Sequence, residues 1–206
     1  MKKTKVLSVI FTALFLTVIP FSNVFATSSE SNLENDSHEY VIEISDEEVK
    51  MLEEKQLQEK INELDPSNQL RTPTYEYKSV LQDSKELLNV SIGWAGNQPS
   101  RGTVFSSSGG FIWNSGGYYS NVTLNIGYGP ISASFPKGSV GGSTGTYISS
   151  PWINTPVKLH IARDIKVSNY KVYGKYYMDP TNNWQYFKSE QTAVSFRNRL
   201  TVKKVQ

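Results

Sequence analysis

The side chains best suited to do chemistry in this chain are bases, and they gather late. Val194, Phe196, Leu200 and Val202 alternate with Ser195, Arg197, Arg199, Thr201 and Lys203, and Lys204 follows. Side chains alternate across a strand, so this spacing predicts one face carrying Arg197, Arg199 and Lys203. Lys158 sits opposite Val157, Leu159 and Ile161 on a second run, and Lys171 and Lys175 lie opposite Tyr170 and Val172. With these strands as neighbours, one sheet face would carry a cationic patch suited to anionic polymers or lipid headgroups. Trp152, beside Pro151 near a loop, and Trp184, just after a turn, are the aromatic candidates for exposed contacts. Trp94 and Trp113 alternate with apolar neighbours and are assigned to the core.

Catalytic groups are scarce by comparison. From Asn89 onward there is one histidine, His160, and three acids, Asp164, Asp179 and Glu190. His160 shares the wet face of its strand with Lys158. A serine–histidine–acid relay could draw on His160 with Asp164 or Asp179, but no Gly-x-Ser-x-Gly selects a serine. Three acids give little basis for the paired carboxylates of a glycosidase. One histidine and no cysteine do not make a metal cage, so no metal and no cofactor are expected. Lys137 to Gly145 is rich in glycine and serine, yet it lacks the order of a phosphate loop and no helix pattern follows it. An enzyme is not the expected reading, with an extracellular hydrolase using His160 held as the third choice.

The elements that must position these residues separate by charge. Residues 27–88 hold sixteen acids and six bases, a net −10, whereas residues 89–206 hold three acids and twelve bases, a net +9. Such asymmetry speaks of partners. Ahead of both, Lys2, Lys3 and Lys5 precede the uncharged run Val6 to Ile19, then Pro20 and Val24-Phe25-Ala26. That pattern predicts a cleaved signal peptide over residues 1–26 and a secreted, extracellular protein. The absence of cysteine alongside it suggests a bacterial product from a single-membrane organism.

In the acidic segment Glu39 to Ile44 alternates like a short strand. Ser45-Asp46-Glu47-Glu48 is a capping box, predicting a helix from there to about Leu64 that stops before Asp65-Pro66. Ser67 to Thr74 reads as a linker, and a second, weak helix is expected near Tyr75 to Leu88.

Beyond Asn89, aromatic, glycine and β-branched residues take over. Val90, Ile92 and Trp94 alternate; Phe111-Ile112-Trp113 follows a glycine pair; Val122, Leu124, Ile126 and Tyr128 share a face, as do Ile131, Ala133 and Phe135. Asp179 to Asn183 is a turn joining two strands. Short strands at roughly ten-residue spacing predict an all-β fold: an antiparallel β-sandwich or barrel over residues 89–206, preceded by a short, partly helical acidic prosegment over 27–88. The expected function is binding of this cationic domain to an anionic membrane or cell-wall polymer, with bacteriocin-like or toxin-like activity as its specific form. The protein's own acidic prosegment would be a second partner, shielding the basic face. A carbohydrate-binding or adhesive module, with glycan as partner, is the alternative; nucleic acid is not expected.

Overall fold

The computed structural model describes residues 38–64, 75–127 and 129–205. The expected leader, the linker from Ser67 to Thr74 and Tyr128 lie outside them.

The described chain is an antiparallel all-β fold behind one helix. Its elements are β1 (Glu39–Glu43), α1 (Asp46–Asn62), β2 (Tyr75–Trp94), β3 (Thr103–Val104), β4 (Gly110–Asn114), β5 (Tyr119–Asn125), β6 (Pro130–Pro136), β7 (Ser139–Val140), β8 (Thr146–Ser149), β9 (Pro156–Tyr176) and β10 (Gln185–Lys204). The large sheet has the order β1-β10-β9-β2, with β3 pairing the start of β9. A second sheet places β4 between β7 and β8, and β5 and β6 form a two-stranded ribbon of their own.

Three strands of twenty residues or so replace the short, evenly spaced strands expected. β9 pairs along nearly its whole length with β10 on one side and β2 on the other. The expected second helix near Tyr75 to Leu88 is β2. Its spacing of leucines and charges suits a helix locally, but the side of its backbone facing β9 is satisfied by the ladder, and tertiary pairing overrides propensity. The switch in charge at Leu88/Asn89 therefore falls inside a strand, at a bulge where Asn89 takes a φ of 53°.

The core lies on one face of β9. Val157, Leu159, Ile161, Ile165 and Val167 are fully buried there, and the two smaller sheets supply Phe111, Trp113, Ile148, Leu124, Ile126 and Phe135 to the same cluster. Trp113 is core as expected; Trp94 is not, being 41% exposed at the end of β2. A bulge at Phe196 also breaks the alternation assumed along β10. Ser195 pairs with Ile165 while Arg197 pairs with Asp164, so these two point to opposite faces, and Val194 faces away from Leu200.

The acidic segment is built into this sheet. Ser45 caps α1, its Oγ accepting from the Glu48 amide at 3.2 Å. Leu57 and Ile61 pack on Val172, on the face of β9 opposite the main core. β1 pairs with Arg197–Thr201 of β10. Beyond that pairing, the edge of β10 is met by donors and acceptors from elsewhere. The Ile44 amide donates to Phe196 O at 3.0 Å, and the Gln56 carboxamide both donates to Ala193 O (3.0 Å) and accepts from its amide (3.1 Å). Lys60 donates to Gln191 O at 2.6 Å. Edge strands need such covering, because a bare row of amides and carbonyls is a template for another chain.

Candidate functional site

Alternation along β9 sends its even-numbered residues to the α1 face and its odd-numbered residues to the core face. Lys158 is thus on one face and Lys171 and Lys175 on the other, so the single cationic face expected from the sequence is divided. The candidate residues fall into three groups.

Arg197 and Arg199 converge on Asp164, which is fully buried. Arg199 donates to both carboxylate oxygens and Arg197 Nη1 donates to Oδ2 at 3.1 Å; the Asn89 amide adds a fourth bond at 2.8 Å. Burial alone would raise the Asp164 pKa, but the hydrogen bonds from Arg199 and the Asn89 amide, the Arg199 charge and the Arg197 bond hold it below its ordinary value. The outer sides of the same guanidiniums meet β1: Arg197 with Glu43 at 2.9 Å and Arg199 with Glu39 at 3.1 Å. Two bases face three acids. The pair expected to lead an anion-binding patch is occupied within the protein, partly by the acidic segment itself.

Lys158 and Lys203 stand directly opposite each other on β9 and β10, and among the described residues neither lies within ion-pair distance of a carboxylate. Like charges directly opposed destabilise a sheet. Lys158 lies over the Trp94 ring at 5.7 Å, and Lys204, next along β10, over Trp152 at 5.1 Å. His160, two residues along β9 from Lys158, is in register with Trp94 and edge-on to its ring, with Nε2 2.9 Å from Ser91 Oγ. Burial, and then the Lys203 charge, hold the His160 pKa below its ordinary value. Among the described residues this serine–histidine pair has no acid hydrogen-bonded behind it: Asp164 is four residues further along β9, roughly 13 Å away, and is gripped by arginines.

The third group lies at the opposite end of the long strands, about 55 Å from Lys158 along β9. There β2, β9 and β10 run out as a three-stranded ribbon whose aromatic residues occupy both faces. On one face Tyr75 meets Tyr176 edge-on at 6.0 Å and Tyr77 meets Phe187 at 5.7 Å. On the other Tyr173 meets Tyr186 at 6.1 Å, and Trp184 is approached by Lys78 at 4.4 Å and Lys175 at 5.2 Å. Lys175 also pairs with Glu76 at 2.8 Å. Lys171 lies four residues closer to the middle of the sheet, exposed. The Asp179–Asn183 turn closes this end, Asp179 accepting from the Thr181 amide and hydroxyl.

Tyr75, Tyr176, Tyr177, Met178, Tyr186 and Phe187 are between 40% and 67% exposed. A cluster of large apolar side chains left in water at one tip marks a contact surface. Of this tip only Trp184 and Lys175 stand out from strand patterning. The available signal was density: five tyrosines lie between positions 170 and 186, flanking one turn.

No family of known sequences, no curated protein and no solved structure matches this chain.

Proposed function

We propose that this protein is an exported effector, bacteriocin-like or toxin-like, that binds the surface of a lipid membrane through the aromatic tip of its long ribbon. The observation that carries the reading is that tip: six large side chains exposed on both faces of one turn, with Lys78 and Lys175 held against Trp184. Tyrosine and tryptophan favour the membrane interface, where an apolar ring and a polar edge are both satisfied. Lysines beside them favour anionic headgroups.

Sedimentation with vesicles of phosphatidylglycerol and phosphatidylcholine tests it. Tyr177→Ser with Met178→Ser changes two exposed turn positions, and binding should fall at least tenfold with the denaturation midpoint unchanged. Retained binding would refute the tip as the contact.

The basic end supports a second reading, an anionic wall polymer held by Lys158 and Lys203. In that case Lys158→Glu with Lys203→Glu, and not the tip variant, should abolish binding to purified polymer, with a steep dependence on salt. A glycan partner would show as tip-dependent binding to polysaccharide without binding to vesicles.

A further inference from the structure

We infer that the β5–β6 ribbon is a membrane-inserting hairpin, stored against the sheet in the described form and able to line a pore when several copies assemble. This rests on the membrane-binding reading and adds an activity to it.

The first observation is charge. Between Arg101 and Lys137 the chain has no acidic or basic residue, although charged residues make up 19% of the whole. β5 and β6 lie entirely inside this stretch. Moving an ionised side chain to the middle of a bilayer costs several times thermal energy, and the turn of an inserting hairpin has to cross completely. The residues that join β5 to β6 in the sequence, 126–129, include no charged side chain to oppose crossing.

Alternation is the second. Val122 and Leu124 on β5, Ile126 just beyond it, and Ile131, Ala133 and Phe135 on β6 are turned inward, while Asn121, Thr123, Asn125, Ser132 and Ser134 are exposed. The register places Val122 opposite Ala133 and Thr123 opposite Ser132, so the ribbon has one apolar face and one face of small, uncharged polar groups. A transmembrane barrel needs that pattern, apolar toward lipid and polar toward a water-filled lumen. A soluble exposed ribbon ordinarily carries lysine or glutamate, above all on unpaired edges. Among the described residues both outer edges of this ribbon are unpaired, since no strand of another sheet joins β5 or β6.

Mounting agrees. The paired strands are seven residues each, Tyr119–Asn125 and Pro130–Pro136, so reaching the nine or so that a tilted transmembrane strand needs would draw in Tyr118 and Ile126 on insertion. Exposed Tyr118 and Tyr119 stand at the base, where a barrel carries its aromatic girdle. The Lys137 amide donates to Tyr118 O at 2.8 Å and closes the ribbon at its base, and the base is tied to the body by the Gly96 amide to Gly138 O at 2.7 Å, Trp113 Nε1 to Lys137 O at 3.2 Å and buried Arg163 to Pro136 O at 2.5 Å. Gly117 and Gly138, at φ 89° and 65°, flank it as joints. At the other end, Pro130 and Ile131 overhang a groove of about 830 Å³ shared with Gln82, Asp83, Lys171 and Glu190. That end points along β9 toward the aromatic tip, so a tip held at a membrane directs the hairpin at the same surface. Two strands per copy cannot close a barrel; eight is the smallest, so at least four copies are required.

The chain has no cysteine, so a single introduced cysteine carries a fluorescent label at one defined place. Full-length Val122→Cys, Ala133→Cys, Thr123→Cys and Ser132→Cys, all at positions not fully buried, are labelled with an environment-sensitive dye and mixed with the anionic vesicles above. Positions 122 and 133 should brighten several-fold and be quenched by nitroxide lipid, whereas 123 and 132 should stay accessible to iodide. Unlabelled Val122→Asp should lose at least tenfold in release of trapped dye while still sedimenting with vesicles, and Thr123→Asp should retain release. Sedimentation without any change at the four positions, or equal changes on both faces, overturns the inserting hairpin and leaves surface binding intact. Failure to sediment at all overturns both.

Discussion

Arg199 holds Asp164 by two parallel bonds, Nε to Oδ1 and Nη2 to Oδ2, each 2.8 Å, at a point where the carboxylate has no contact with water. The pair ties β10 to β9, and through Glu39 it ties β1 to both. Asp164→Asn would leave two arginines facing a neutral amide. Breaking a buried pair costs roughly 3–5 kcal/mol, and the lower end applies because Glu39, Glu43 and solvent still reach the guanidiniums. A urea denaturation midpoint measures the loss; Glu39→Gln, at the exposed rim, should cost under about 1 kcal/mol.

Acid should loosen the fold in two steps, and the signs agree. His160 titrates below its ordinary 6.5 in the folded chain, so the unfolded chain binds its proton first. Stability is therefore lost as pH falls below about 6.5 and through the lower folded value. Asp164 and Glu53 also have lowered pKa values, so their contribution is present above the ordinary carboxylate range and is lost as pH falls through the folded values. Thermal midpoints between pH 8 and 3 should show both steps, and His160→Gln should remove only the first.

Gln56 imitates a strand at the edge of β10, giving and accepting one hydrogen bond with Ala193. Gln56→Ala removes both, at about 1 kcal/mol each, and bares that stretch of edge. Greater self-association than wild type, by light scattering at matched concentration, is the expected outcome. A Gln56→Ala protein as monodisperse as wild type would show that α1 guards the edge by bulk alone.

Processing, where it occurs, should fall between Asp65 and Thr74, because β2 is in the ladder from Tyr75 onward. Arg71 is the basic residue available there. Mass spectrometry of the protein recovered from producing cells and from their medium reads the new terminus directly. The severed β1–α1 piece should stay bound at neutral pH and dissociate on acidification, since Glu53 meets Lys166 and Tyr170 in a buried contact.

Leu124 is 4% exposed beneath the ribbon, whereas Thr123 faces solvent. Leu124→Ala should cost about 2–5 kcal/mol and Thr123→Ala less than about 0.5 kcal/mol. Equal denaturation midpoints would place the ribbon away from the core.

The legible parts of this fold were those written in local patterns. The Ser45 cap, the inward set Val122, Leu124 and Ile126, and the turn after Asp179 each follow from a few neighbouring residues. What local patterns could not carry was register between distant strands. The bulge at Phe196, which parts Ser195 from Arg197, depends on how β9 meets β10 some thirty residues away. The occupation of Arg197 and Arg199 by Glu43 and Glu39 spans more than 150 positions. β2 was obscured for the same reason, since its partner residues on β9 lie from 66 positions later, for Trp94 and His160, to 101 positions later, for Tyr75 and Tyr176.

β9 runs for twenty-one residues with β2 and β10 alongside, so the ribbon reaches some 65–70 Å end to end. A body of 23.2 kDa drawn out to that length tumbles and diffuses more slowly than a sphere of equal mass. On a sizing column calibrated with round proteins a single copy will elute early, in the place of a dimer. Counting subunits by elution volume would thus overstate them, and sedimentation equilibrium, which weighs particles regardless of outline, is the measurement that separates one elongated chain from two.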